Sequence, residues 1–315
     1  MPLQTAPDTG SPMIIVFGSI NVDLTFRLPH LPVVGETVLT PTFTQAVGGK
    51  GANQAIAAAR DGARVGFIGC VGADNYGETA REALDGLGID VCRLKTVPGT
   101  TGLAAVWIDS EGRNQIAVAS GANEALKVDA LISQTIAPDT FVVLQMETPA
   151  SEVEAAIGYT KQVNARIILN LAPARPLSRT TLAQVDVLVV NEHEATVLSN
   201  GLHLPQAQPV DQAAALAQDL RNTVIITLGA EGAIGARGDK VFRVEALPVR
   251  AIDTTGAGDC FVGTLASALT RDDNMQRAMR RAAVAGSLAC TIVGAMPSFP
   301  TREQIDAALP AGEHA

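Results

Sequence analysis

The chain predicts an α/β fold, with a mainly parallel central sheet between helices and a small β-sheet lid beside it. Three observations carry this. Short apolar runs alternate with alanine-rich segments of helical spacing along most of the 315 residues. Two stretches break that rhythm with the two-residue alternation of paired strands. The 47% hydrophobic content of a chain this long is enough for one large core or two smaller ones.

Taken in order, residues 13–17 (Met-Ile-Ile-Val-Phe) form an apolar run bounded by turn residues, which reads as a buried strand. Similar runs recur at 65–70, 141–145, 166–170, 185–190 and 224–228. Helical spacing fills 52–60, 151–163, 192–198 and 211–220. A sheet of this kind binds ligands at the carboxyl ends of its strands. Residues 25–47 are rich in Pro and Thr, and 101–119 read as a hairpin with its turn at 109–113. Both look like antiparallel strands, and together they predict a lid over a strand-end site. The expected division is an α/β domain over 13–24, 48–100 and 120–310, with the lid over 25–47 and 101–119. The last third is helical at 259–269 and 275–291, closing with an amphipathic helix capped by Thr301.

Composition narrows the function. The net charge is −9 and charged residues are only 17%, which argues against nucleic-acid or anionic-membrane partners, since both need a basic face. An anionic ligand stays open, because a local nest of backbone N–H groups can hold one. Aromatics at 3% leave little for stacking on single strands. Cys70, Cys92, Cys260 and Cys290 form no C-x-x-C pair, so they read as reduced thiols of a cytoplasmic protein. Residues 1–12 have no basic or apolar region and read as a polar leader, not a signal peptide. No apolar run approaches membrane-spanning length.

Four motifs could carry chemistry. In Gly256-Ala257-Gly258-Asp259 small residues precede an acid at the start of an apolar helix. Freed N–H groups and the helix dipole would make an anion hole with a base beside it. A plain glycine-rich loop with Asp259 as helix cap fits the same residues. Gly48-Gly49-Lys50-Gly51-Ala52-Asn53 again opens a helix and offers Lys and Asn to a polyol, or is only a capping turn. It is not the G-x-x-x-x-G-K-[ST] phosphate loop. In Gly18-Ser19-Ile20-Asn21-Val22-Asp23, Asn21 and Asp23 would point the same way from an extended segment, or lie in an exposed polar loop. The dinucleotide fingerprint expected at that turn in a dehydrogenase is missing. Asn191-Glu192-His193-Glu194 at a strand end suits hydrated Mg²⁺ and phosphates, or a helix start with Asn191 as N-cap. Glu147 and Thr227-Leu228-Gly229 also follow strands, with no specificity of their own.

In this order the motifs resemble the ribokinase-like (PfkB) carbohydrate kinases, from about Ile14 to the end of the chain. The segments Val47-Gly-Gly-Lys-Gly-Ala-Asn-Gln-Ala55 and Leu169-Asn-Leu-Ala-Pro-Ala-Arg175 are specific to that pattern. The resemblance implies a three-layer α/β/α domain with a β-lid. It implies that Asn21, Asp23, Gly49, Lys50, Asn53 and Glu147 hold sugar hydroxyls. Asp259 would deprotonate the attacking hydroxyl, over an anion hole of Gly256, Ala257 and Gly258. Asn191 and Glu194 would lie near phosphate and Mg²⁺, and Thr227, Gly229 and Gly232 along the ATP groove. A monovalent cation, K⁺, would be held by Asp253, Thr255, Ala289, Ile292, Gly294 and Ser298. It further implies a homodimer through the lids. Thr264, Ala283 and Trp107 depart from the pattern, at helix packing, adenine contact and lid respectively. The expected reaction is γ-phosphoryl transfer from ATP to the 5-hydroxyl of D-ribose. Deoxyribose, a hexose or a nucleoside are the alternative acceptors, and a non-catalytic sugar sensor would lack the base and glycines that are present.

Overall fold

The computed structural model describes residues 13–272 and 274–310; the expected polar leader lies outside them. In chain order the first strands are β1 (Met13–Phe17), β2 (Asn21–Arg27), β3 (Phe43–Gly48), β4 (Arg64–Gly72), β5 (Asp90–Val97), β6 (Gly102–Ile108) and β7 (Asn114–Ala119). They are followed by β8 (Phe141–Leu144), β9 (Arg166–Asn170), β10 (Val187–Asn191), β11 (Thr223–Thr227), β12 (Ala233–Arg237) and β13 (Lys240–Val244). The helices are α1 (Lys50–Arg60), α2 (Asn75–Asp85), α3 (Asp129–Ile132), α4 (Ala150–Gln162) and α5 (Arg179–Leu182). Then come α6 (Glu192–Gly201), α7 (Pro209–Leu220), α8 (Ala257–Arg271), α9 (Met275–Ala289) and α10 (Arg302–Ala308).

Alternate residues of β1 face opposite cores: Ile14 and Val16 pack in one apolar cluster, Ile15 and Phe17 in the other. A strand apolar on both faces belongs between two helical layers. α1, α2, α8, α9 and α10 bury their apolar sides against one face, and α3 to α7 against the other. The sheet order is β13-β12-β11-β10-β9-β8-β1-β4-β5. Pairs from β11 through β5 are parallel, while β11–β12 and β12–β13 are antiparallel. The chain crosses to opposite sides of β1 on reaching β4 and β8, so a switch point lies beside β1.

The second sheet has the order β3-β2-β6-β7. Its two hairpin pairings are antiparallel as expected, but β2 and β6 run parallel, with Asn21 opposite Gly102. The border expected between residues 24 and 25 falls inside β2, because pairing with β6 already begins at Asn21. The Pro- and Thr-rich composition that suggested the border belongs instead to the loop before β3.

α1 and α8 run in the same direction. Their backbones meet where a Cβ on Gly263 would lie 2.3 Å from the carbonyl oxygen of Gln54. At their far ends Asp61, the cap of α1, accepts from Arg271 Nη2 at 2.8 Å and Arg281 Nε at 2.9 Å. The two helices thus share one direction and one ionic anchor, with both N-termini at the same edge of the sheet.

Candidate active site

Five parallel strands deliver polar residues to that edge. β1 runs on into Ser19, β8 into Gln145 and Glu147, and β9, β10 and β11 end on Asn170, Asn191 and Thr227. The helix dipoles of α1 and α8 add positive potential at the same place.

α8 begins at Gly256, whose φ of 75° is a left-handed conformation that a Cβ would resist. Ala257, Gly258 and Asp259 form its first turn. Asp259 does not serve as the cap. Its Oδ2 accepts from Asn53 Nδ2 and its Oδ1 from Gln54 Nε2, each at 3.0 Å, both from α1. The carboxylate is buried, 7% exposed, so these charge-assisted bonds act with little screening by water.

α1 opens on Gly49, which offers no side-chain cap. Glu147 fills that role from the neighbouring strand end: its Oε2 accepts from Lys50 N at 2.9 Å and Ser19 Oγ at 2.7 Å. The Lys50 ammonium is held above its ordinary pKa, first by the charge of Asp259, against burial, with Glu147 and Glu194 adding to it. Asp23 shows the converse. Burial, then the charges of Glu147 and Asp259, push its carboxyl up to about 7. Asn21 is buried, and its Oδ1 accepts from Asn123 Nδ2 at 2.8 Å. Asn123 in turn accepts from Ile20 N at 2.9 Å, so Asn21 is fixed with its NH₂ turned away from Asn123.

The expected Asn191–Glu194 pair is present as a capping box: each side chain accepts from the other's backbone N–H at 2.8 Å. Burial raises the pKa of Glu194, against the Asn191 bond and the charge of Lys50. A cavity of about 230 Å³ joins Lys50, Asn170, Asn191, Glu194, Gly256 and Asp259. Beside it an apolar cavity of about 480 Å³ is lined by Thr227, Gly229, Gly232, Phe261, Ala283 and Gly286. The two share Thr227, Thr254 and Gly258, so one opens towards the other past the start of α8.

Of the residues expected around a cation, Asp253 and Gly294 come together: Gly294 N donates to Asp253 Oδ2 at 2.8 Å. Thr255 donates to Asp253 Oδ1 through N at 2.9 Å and Oγ1 at 2.6 Å. Burial alone would raise the Asp253 carboxyl, but these donors hold it below its ordinary pKa. Ala289 closes α9, and the Ile292 side chain is exposed. Ser298 turns its hydroxyl inward to the Ala295 carbonyl at 2.8 Å.

Gln54, Ser19, Asn123, Gln145 and Asn170 join the site with no role expected for them from the sequence. Gln54 carried a legible signal, as a second buried amide beside Asn53 in the alanine-rich run of α1. The others sit at strand ends and turns, where a polar residue is ordinary.

A small-molecule phosphotransferase is the class that fits a buried carboxylate at a helix N-terminus, placed between a cluster of hydrogen-bonding side chains and an apolar groove. The chain belongs to the pfkB family of carbohydrate kinases, whose family model matches residues 11–302. The ribokinase of Haemophilus influenzae is 38% identical over 296 residues, covering 92% of this chain and 96% of that protein. The crystal structure of ribokinase from Thermotoga maritima superposes with a TM-score of 0.87 at 30% identity, covering 94% and 99% of the two chains. The Arabidopsis thaliana ribokinase solved with ribose and ATP gives a TM-score of 0.83 at 30% identity over 95% and 98%.

Proposed function

We propose that the chain transfers the γ-phosphoryl group of ATP to the 5-hydroxyl of D-ribose, giving ribose 5-phosphate and ADP. The observation that carries this is Asp259, held by Asn53 and Gln54 where the hydrogen-bonding cluster meets the phosphate-sized cavity. The family, and relatives named as ribokinases over nearly their whole length, support the acceptor.

In this reading Asn21, Asp23, Lys50, Asn53 and Glu147, with the backbone of Gly49, hold the sugar hydroxyls. Asp259 takes the proton of the 5-hydroxyl as its oxygen bonds to the γ-phosphorus, and the bond to the ADP oxygen breaks. The N–H groups at Gly256, Ala257 and Gly258 face charge on the transferring group. Catalysis is positioning and electrostatics, as phosphoryl transfer requires. Thr227, Gly229 and Gly232 line the groove for the nucleotide, and Ala283 gives the base an apolar wall.

Mg²⁺ fits as an ion that arrives on the nucleotide phosphates. Glu194 and Asn191 border that cavity, and one or two protein ligands are usual for it. When bound it would neutralise phosphate charge. K⁺ fits the donor set at Asp253, an anionic carboxylate tied to the Gly294 loop, with Thr255 and the backbone at Ala289, Ile292, Gly294 and Ser298 as further oxygens. We read the lid as a homodimer face, on which Phe43, Ile116 and Val118 are exposed, and the protein as cytoplasmic.

The test is a coupled ADP-release screen over pentoses, hexoses and nucleosides, with and without K⁺. Ribose is expected to give the highest kcat/KM, and preference for another acceptor would overturn the assignment. Asp259→Ala is expected to keep sugar binding and to lower kcat by roughly 10²- to 10⁴-fold. Retained turnover would remove the base from its role.

A further inference from the structure

We infer that Gln54 is a positioning residue for Asp259, the last link of a directed amide chain running from Gln145 through Gln54 to the carboxylate. The inference rests on reading Asp259 as the base.

Gln54 is 0% exposed, so it meets neither solvent nor substrate and can act only through its neighbours. Its Nε2 donates to Asp259 Oδ1 at 3.0 Å and to Asn170 Oδ1 at 3.1 Å. Its Oε1 accepts from Gln145 Nε2 at 2.8 Å. An amide can turn over with little change of shape, but here both ends of the array are fixed. A carboxylate only accepts, so the Gln54 atom facing Asp259 is the NH₂. The Val189 carbonyl also only accepts, and Asn170 Nδ2 donates to it at 3.2 Å, which leaves the Asn170 oxygen facing Gln54. Gln54 Oε1 is thereby turned towards Gln145, which must answer with its own NH₂.

That direction has a visible cost. Gln145 Oε1 is buried with no hydrogen-bond partner. It lies where a Cβ on residue 18 would be only 1.9 Å away, a place open because residue 18 is glycine. A buried acceptor without a partner is unfavourable. Reversing Gln145 would satisfy nothing, because it would set two oxygens against each other at Gln54. The orphan is the consequence of aiming every donor at Asp259. The result is a carboxylate with one donor on each oxygen, from Asn53 and Gln54. Asn53 also faces the sugar, so Gln54 is the support that no ligand can draw away.

The experiment compares Gln54→Met, which keeps length and bulk but deletes three hydrogen bonds, with Gln145→Met and the double variant. The readouts are kcat, both KM values and the melting temperature. For Gln54→Met we expect kcat to fall by at least about tenfold, with sugar and ATP KM within about twofold of the parent. Gln145→Met is expected to lower kcat less, and the double variant to be no worse than Gln54→Met, because Gln145 acts only through Gln54. A folded Gln54→Met protein with unchanged kcat overturns the inference, as do losses that multiply in the double variant. Should Gln54→Met not fold, an unchanged kcat in Gln145→Met overturns it equally. Asp259→Ala in the same assay separates the two readings. If it is inactive while Gln54→Met keeps the parent kcat, only the role of Gln54 fails; if it turns over, the base reading fails with it.

Discussion

Gly48 and Asp23 stand on neighbouring lid strands so closely that a Cβ on residue 48 would lie 2.1 Å from Asp23 Oδ2. The glycine is required by the carboxylate it faces and not by its own backbone. The lid side of the site is therefore shaped by the absence of a side chain.

Gly48→Ala should push the Asp23 carboxylate out of place and leave the nucleotide groove untouched. Losing one charged hydrogen bond is worth about 1.5–3 kcal/mol, so the sugar KM should rise roughly tenfold or more. The ATP KM should stay near the parent value in steady-state kinetics. Equal changes in both would contradict the placement of Asp23.

Asp23 also gives a pH signature in the ligand-free protein. Its folded pKa is about 7, raised from 3.8. Between those values the folded state keeps a proton that the unfolded chain has lost, so this group lowers stability as pH rises from about 4 to 7. Asp23→Asn should therefore melt higher than the parent at pH 8, with the gap closing towards pH 4. The same substitution should weaken sugar binding. A gap that widens on acidification would refute the assignment.

Asp253→Ala removes the carboxylate that ties the Gly294 loop to the turn before α8. Activity should fall by roughly 10- to 100-fold, the range for groups that support a ligand shell. Activation by K⁺ over Na⁺ should disappear with it. An Asp253→Ala enzyme that still responds to K⁺ would place the cation elsewhere.

Asp61→Ala leaves the buried Arg281, whose side chain is 4% exposed, with Asp306 as its remaining acid, and releases Arg271. Breaking a buried pair from one side costs about 3–5 kcal/mol. A chain of this size should lose on the order of 10 °C in melting temperature by calorimetry. An unchanged melting temperature would show that the cluster contributes little.

Much of this was legible in the sequence, for physical reasons. Strands buried on both faces, such as Phe141–Leu144 and Arg166–Asn170, are continuous apolar runs, and the sequence reading finds them. β5, β12 and β13 escape it. β5 and β13 lie at the sheet edges, partly exposed and of mixed composition, and β12, between β11 and β13, is a short run of mostly Ala and Gly. The parallel pairing of β2 with β6 is a long-range choice that no local pattern records. In the site, Asp259 and Asn53 stand in the first turns of helices opened by recognisable glycine motifs. The support around them does not, because Gln145 and Asn123 acquire meaning only when distant segments meet.

The shared direction of α1 and α8 has a mechanical consequence. From Asp259 to Arg271, α8 spans about 18 Å of rise. Pinned below by Asp61 and above by Gln54, it is a lever with its fulcrum far from the chemistry. A tilt of about 5° at the lower end would swing the carboxylate by about 1.5 Å, more than phosphoryl transfer tolerates. In the proposed reaction, residues at the base of the molecule, remote from the strand-end site, would thus set the aim of the Asp259 carboxylate.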